Sequence, residues 1–335
     1  MAIPARLLGY GAYNLANDRY MGKPASGTGP IFFKYLRDSG YPVNLVKLIV
    51  FRYSGEDDLN LFPARQVSLY TPQRAINTTY IDQLVNTVDQ ARQFGFWVQV
   101  CLFSYHSVAA GEQPEHAPTV FNLPEPTKPP TKPSDPPGNV RLFFNAADTA
   151  RFNEQARLVR AIVDRLRVFP NVLWELANEL RVKEQPENPD NCQLVAWLIR
   201  MRGEIVRAAQ GAPVYIGTSS GIQNERYFFK RMGADACTSP ALQVEFFDFH
   251  SGQWSAGIGA AKNRVRNDYG SSAPLIINDD GLKGAASSTQ IRAWAAEAFR
   301  NNLHYAAKQT YPPAQPWNND VLDRLKEAWN NPNGF

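Results

Sequence analysis

The sequence predicts an eight-fold β/α barrel, and three observations predict it. Short runs of apolar, β-branched and aromatic residues alternate with longer stretches of helical period along the chain. The runs are nearly continuous in apolar character, which suits parallel strands covered on their outer face. Eight of them occur, and eight strands separated by connecting helices close into a barrel more readily than they extend an open sheet.

The runs, in order, are Arg6–Tyr13, Asn44–Tyr53, Phe96–Tyr105, Asn171–Ala177, Pro213–Thr218, Val244–His250, Pro274–Asp279 and Leu303–Ala307. Between the second and third, Ile81, Leu84, Val85, Val88, Ala91 and Phe94 recur at steps of three and four, one face of a helix that Thr78 or Thr79 can cap. Phe152, Ala156, Val159, Ile162, Val163 and Leu166 repeat the pattern before the fourth run. Leu194, Val195, Leu198, Ile199, Ile205 and Val206 do so before the fifth, and Val321, Leu322, Leu325 and Ala328 end the chain. The expectation is a single (β/α)8 TIM barrel of the α/β class spanning residues 1–335, with no repeats and no second domain. The 335 residues are an ordinary length for it.

One stretch, 112–138, breaks the rhythm. It is rich in proline and has neither helical nor strand period. Lying between the third strand and its helix, it falls on the C-terminal rim of a barrel, where active sites are built. It reads as a rim loop shaping a substrate cleft, with a surface insertion of no particular role as the alternative.

Composition narrows the function classes. Hydrophobic residues make up 44% and charged residues 20%, enough for a large core. The net charge is +4 with no block of Lys or Arg, so no nucleic-acid partner is expected. No apolar run approaches the ~18 residues of a membrane span. The opening residues lack the charged start and apolar stretch of a signal peptide, so the protein is expected to be cytoplasmic, or secreted with that peptide removed. Cys101, Cys192 and Cys237 are widely spaced with no C-x-x-C. Three buried free thiols are expected, with one bridge plus a free thiol as the alternative.

The segment with most chemical content is Trp174-Glu175-Leu176-Ala177-Asn178-Glu179, which closes the fourth strand. A polar Asn-Glu pair directly after an apolar strand sits on the barrel rim. The alternative is a surface pair at a helix start. Here the chain resembles the clan A glycoside hydrolases, which include many cellulases, mannanases and β-galactosidases. In that clan the fourth strand ends in Asn-Glu. The resemblance implies that Glu179 is the general acid/base. It also implies that Asn178 hydrogen-bonds the sugar 2-hydroxyl, a contact that strengthens as the oxocarbenium-like transition state forms. Strand order supplies further correspondences. Arg52 ends LIVFR, near the end of the second run, where the clan carries an Arg that would hold the nucleophile ionised and oriented. His106 follows the third run, where it would bond substrate or a neighbouring carboxylate. On the sixth, Asp248 and His250 are two apart and share a face. His250 is a candidate for orienting the nucleophile or binding sugar, or else a structural histidine.

The seventh run departs from the clan, whose nucleophile there is Glu. This chain reads Ile276-Ile277-Asn278-Asp279-Asp280, so Asp279 occupies the nucleophile position. Retaining enzymes hold their carboxyls ~5–5.5 Å apart and inverting ones ~6.5–9.5 Å. Asp is shorter than Glu by one C–C bond, ~1.5 Å. Three explanations stand. The backbone compensates and Asp279 is a true nucleophile; or the enzyme inverts or is slow; or the Asp replaces an original Glu. Asp280 ranks second because neighbouring strand residues face opposite ways. Tyr10, Tyr13, Tyr105 and Trp254 are candidates to stack on pyranose rings, with core or rim packing as the alternative for each.

The implied reaction is hydrolysis of a β-linked glycosidic bond in an oligosaccharide, polysaccharide or glycoside, by two carboxylates in a retaining mechanism, with no cofactor and no metal. Two other classes compete. Gly217-Thr218-Ser219-Ser220-Gly221 matches G-x-S-x-G, so an esterase with Ser219 as nucleophile and Asp279 and His304 as partners is one alternative. The loop after it is a poor helix start, and no HGGG-type oxyanion segment precedes it. A carbohydrate-binding barrel with little turnover is the other, because position 279 is Asp. A metal-dependent hydrolase lacks its motifs: the four histidines form no H-x-H and no H-E-x-x-H.

Overall fold

Eight parallel strands close on themselves in chain order, each paired with the next and the eighth with the first. They are β1 Leu8–Gly11, β2 Leu45–Ile49, β3 Trp97–Ser104, β4 Val172–Asn178, β5 Ile216–Ser220, β6 Phe246–Ser251, β7 Leu275–Asp279 and β8 His304–Lys308. The computed structural model describes residues 4–11, 31–51, 68–110, 116–123, 138–180, 189–220, 242–251, 263, 267, 273–279, 287–308 and 319–333. Each run read from the sequence overlaps one strand, and β4, β5, β6 and β8 continue one or two residues past the end of theirs. The first two runs extend past their strands because residues flanking the ladder stay in the core: Leu7, Val50 and Phe51 are buried outside it.

The helices are α1 Ile31–Asp38, α2 Thr78–Gln93, α3 Tyr105–Ala110, α4 Ala117–Val120, α5 Gly138–Phe143, α6 Thr149–Leu166, α7 Pro189–Ala208, α8 Ser288–Arg300 and α9 Asn319–Asn330. The periodic segments became α2, α6, α7 and α9. The cap of α2 is Asn77, not Thr78 or Thr79: its side-chain oxygen accepts from the Thr79 N–H at 3.1 Å. Asn at this position satisfies an orphan donor of the first turn as Thr would. The sequence reading passed over α8, although Ser287 and Gln290 form a reciprocal capping box at its start.

The stretch 112–138, which shows no helical period in the sequence, contains a short helical turn. Residues 117–120 form one turn, α4, with proline near its start. Such a turn is too short to show a period. It is pinned from below: Phe121 is fully buried against Phe51, Tyr70 and Phe143, with ring centroids 5.5, 5.8 and 5.2 Å away. The Arg151 guanidinium donates to the carbonyls of Phe121, Asn122 and Leu142. Residues 111–115 and 124–137 lie outside the described residues.

The core has two parts. The larger fills the space between strands and helices. The smaller plugs the N-terminal end of the barrel. Leu7, Leu45, Trp97, Leu173, Phe246 and Ile276 meet there, flanked by Tyr215 and Ala306, so each strand or its entry gives one residue. Two glycines make room next to this plug. A Cβ on Gly217 would lie 2.5 Å from the Phe246 ring, and one on Gly9 2.7 Å from Ala306 Cβ.

The cysteines also need correction. Cys192 is disulfide-bonded and Cys101 is a buried free thiol, so three free thiols are not present; Cys237 lies outside the described residues. Spacing alone does not reveal which cysteines folding brings together.

His304 joins the two ends of the ladder. Its Nδ1 accepts the Leu7 N–H at 2.9 Å, and burial lowers its pKa from 6.5 to about 4. The folded state therefore holds the neutral imidazole. Because the folded value lies below the unfolded one, this stabilisation is complete above pH ~6.5 and is lost as pH falls through ~4. The thermal midpoint should fall across that window. His304→Gln should flatten that part of the profile, and an unchanged slope in the variant would show that another group sets it.

Candidate active site

Directly above the apolar plug lies a layer of charge. Two residues beyond Leu45, Trp97, Leu173 and Phe246 stand Lys47, Gln99, Glu175 and Asp248. The period of two puts them on the same inner face. All four are buried, from 0 to 5% exposed. The Lys47 ammonium bonds Glu175 (2.8 Å), Asp248 Oδ2 (2.6 Å) and Asn178 Oδ1 (2.7 Å), and so uses all three of its donors. The Gln99 amide adds donors to Glu175 Oε2 at 2.9 Å and Asp248 Oδ2 at 2.6 Å. Burial acts to lower the Lys47 pKa, but the Asp248 and Glu175 carboxylates outweigh it and hold it above its ordinary value. Burial pushes the adjoining Cys101 thiol well up, and the Glu175 charge adds to this, so the thiol is neutral.

The charge layer carries the end of β4. Trp174 and Leu176 pack outward with the strand–helix core. Strict alternation would send Asn178 the same way. Its Oδ1 instead meets the Lys47 ammonium, although the pairing with β3 keeps its register through Asn178. The chain leaves the strand at Glu179, whose φ is 54°, in the left-handed region that non-glycine residues seldom adopt. Ser219 on β5 holds it there. Its Oγ accepts the Glu179 N–H at 2.6 Å, and its carbonyl accepts the Leu180 N–H at 3.1 Å. The last β4–β5 pair is Glu175↔Gly217, so this hydroxyl takes over beyond the ladder. Glu179 is partly exposed, just past the C-terminal end of β4.

This geometry removes the esterase alternative. Ser219 lies inside β5 rather than on a strand-to-helix elbow, and its hydroxyl is engaged with Glu179 N and Ala177 O. His304 opens β8 at the plugged end and serves Leu7. An elbow needs a tight turn and an imidazole at its mouth. The five-residue pattern carries no information on either.

Asp279 is the last residue of β7, with Ser251 of β6 and Ala307 of β8 as its neighbours in the ladder. Tyr10 lies in β1, His250 in β6, and His106 is the second residue of α3. The side chains of Asp279, Tyr10, His250 and His106 lie outside what is described, as do Arg52, Tyr13 and Trp254 entirely. Tyr105 is 5% exposed and belongs to the strand–helix core, the packing role rather than the sugar-stacking one. Lys47, Gln99 and Glu175 were missed in the sequence. Their signal was a lone polar residue in an otherwise apolar strand, as in LVKLI, WVQV and LWEL. Among the described residues no group of three or more His, Cys, Asp or Glu is placed to hold a metal ion. Among them, too, no helix is long and apolar enough to cross a membrane.

No family pattern and no curated protein matches the sequence. Solved structures match the fold. An endo-1,4-β-mannanase from Rhizomucor miehei superposes with a TM-score of 0.64 at 13% identity, covering 99% of this chain and 96% of that one. A Bacteroidetes-affiliated GH5 cellulase gives 0.58 at 13%, covering 98% and 92%. An endo-glycoceramidase II from Rhodococcus sp. gives 0.58 at 15%, covering 96% and 78%. At such identities the similarity is one of fold, and many chemistries share this barrel.

Proposed function

We propose that this protein is a glycosidase that hydrolyses a β-linked bond with two carboxylates, Glu179 as acid/base and Asp279 as nucleophile. The observation that carries the reading is the end of β4, where Asn178 is turned inward and Glu179 is held in a left-handed conformation by Ser219. Strained backbone that the surroundings enforce clusters at functional sites. The mannanase, cellulase and glycoceramidase names among the fold neighbours support the substrate class and suggest the first substrates to assay: β-1,4-mannan, cellulosic glucans and glycoceramides.

In the first step the Glu179 carboxyl gives its proton to the leaving oxygen while the Asp279 carboxylate attacks the anomeric carbon. The glycosyl–carboxylate ester is then cleaved by water, which gives its proton back to Glu179. Arg52, His106, His250, Tyr10, Tyr13 and Trp254 are proposed to surround the sugar and orient the nucleophile, and the segment 112–138 to border the cleft. The whole chain is read as one catalytic domain.

The short Asp279 side chain gives the decisive test. Asp279→Glu should retain or raise hydrolysis, since it restores the reach of the clan's nucleophile, whereas Asp279→Ala should abolish it. Complete loss of an existing activity in Asp279→Glu would overturn the assignment. Position 279 also favours a second reading, a sugar-binding barrel with little turnover. Saturable binding of mannan or glucan oligosaccharides without product formation, restored to hydrolysis by neither variant, would support it.

A further inference from the structure

We infer that Lys47, at the floor of the site, is a positioning residue that fixes Asn178 as a hydrogen-bond donor to the sugar. The inference rests on the proposed function and deepens it. The ammonium has only donors to offer, so the oxygen of the Asn178 amide must face it and the NH2 group must face away. The 2.7 Å contact from Lys47 Nζ to Asn178 Oδ1 has this polarity, and the opposite flip would set NH2 against NH3+. Asn178 is 3% exposed, and among the described residues its Nδ2 meets no acceptor. Lys47 cannot swing aside, because Glu175 and Asp248 hold its other two donors from β4 and β6. One buried cation thus ties three strands together and decides which end of an amide the substrate meets. An amide locked as donor suits a hydroxyl oxygen of the sugar, and a contact that tightens in the transition state acts on kcat more than on KM.

The test compares two substrates in two proteins. A dinitrophenyl β-glucoside or β-mannoside, whichever the wild type turns over, is paired with its 2-deoxy counterpart. The ratio of their kcat values is measured in wild type and in Lys47→Met. Intrinsic reactivity cancels in the ratio of ratios. Loss of one well-placed hydrogen bond should shrink the preference for the 2-hydroxyl substrate by roughly tenfold, with KM little changed. A merely structural role for Lys47 would slow both substrates alike. If Lys47→Met does not fold, the measurement is made in Lys47→Met/Glu175→Gln/Asp248→Leu, which buries no charge in this layer. A preference equal to that of the wild type in the folded variant overturns the inference and leaves the glycosidase reading intact. A wild type that cleaves neither these glycosides nor the polysaccharides overturns that reading itself.

Discussion

Glu179→Gln is expected to lower kcat on an unactivated glycoside by on the order of a hundredfold to ten-thousandfold, the range that one positioned proton donor contributes. Gln keeps the shape and removes the transferable proton. The backbone clamp is untouched, because Ser219 binds the Glu179 main chain and not its carboxyl. The loss should depend on the leaving group. A dinitrophenolate departs without being protonated, so the first step on that substrate should slow far less than on an oligosaccharide. Pre-steady-state release of dinitrophenol, set beside steady-state hydrolysis of the oligosaccharide, separates the two. Equal losses on both substrates in a folded variant would assign Glu179 to binding or structure instead.

The second large effect concerns stability, and it is asymmetric within one network. The buried layer holds one ammonium and two carboxylates. Lys47→Met leaves both carboxylates without their cation, and removing one partner of a buried ion pair costs about 3–5 kcal/mol. Asp248→Asn leaves Lys47 paired with Glu175, a balanced couple. Its cost should be that of weakened hydrogen bonds, about 1–3 kcal/mol. Denaturant melts of the two variants should therefore differ clearly, with Lys47→Met the weaker. Equal destabilisation of the two would mean that packing, not charge balance, sets the cost.

Much of the barrel was legible because parallel strands buried on both faces announce themselves by continuous apolar character, and amphipathic helices by a period near 3.6. The legible part ended where the signal was short or crossed between strands. The turn of α4 has too few residues to show a period. The bond of Cys192 depends on a partner that only folding brings near. The G-x-S-x-G match at 217–221 satisfied a spacing rule and nothing else, since Ser219 sits within a strand and its hydroxyl holds Glu179. Tyr105 looked available beside His106, yet it packs into the core.

The sequence by itself determined the eight strands, their parallel covered character, and the location of an Asn-Glu pair at the end of the fourth. Those properties are local, written in the order of apolar and polar residues along one stretch of chain. Only the tertiary structure decided which way Asn178 turns, that Glu179 adopts a left-handed backbone, and that Ser219 secures it. It alone gathered Lys47, Gln99, Glu175 and Asp248 into one layer, because they come from four strands up to 201 residues apart and meet only when the sheet closes. Charge can be held at such depth only by exact neighbours of opposite sign, and barrel closure is what makes residues so distant in sequence into neighbours.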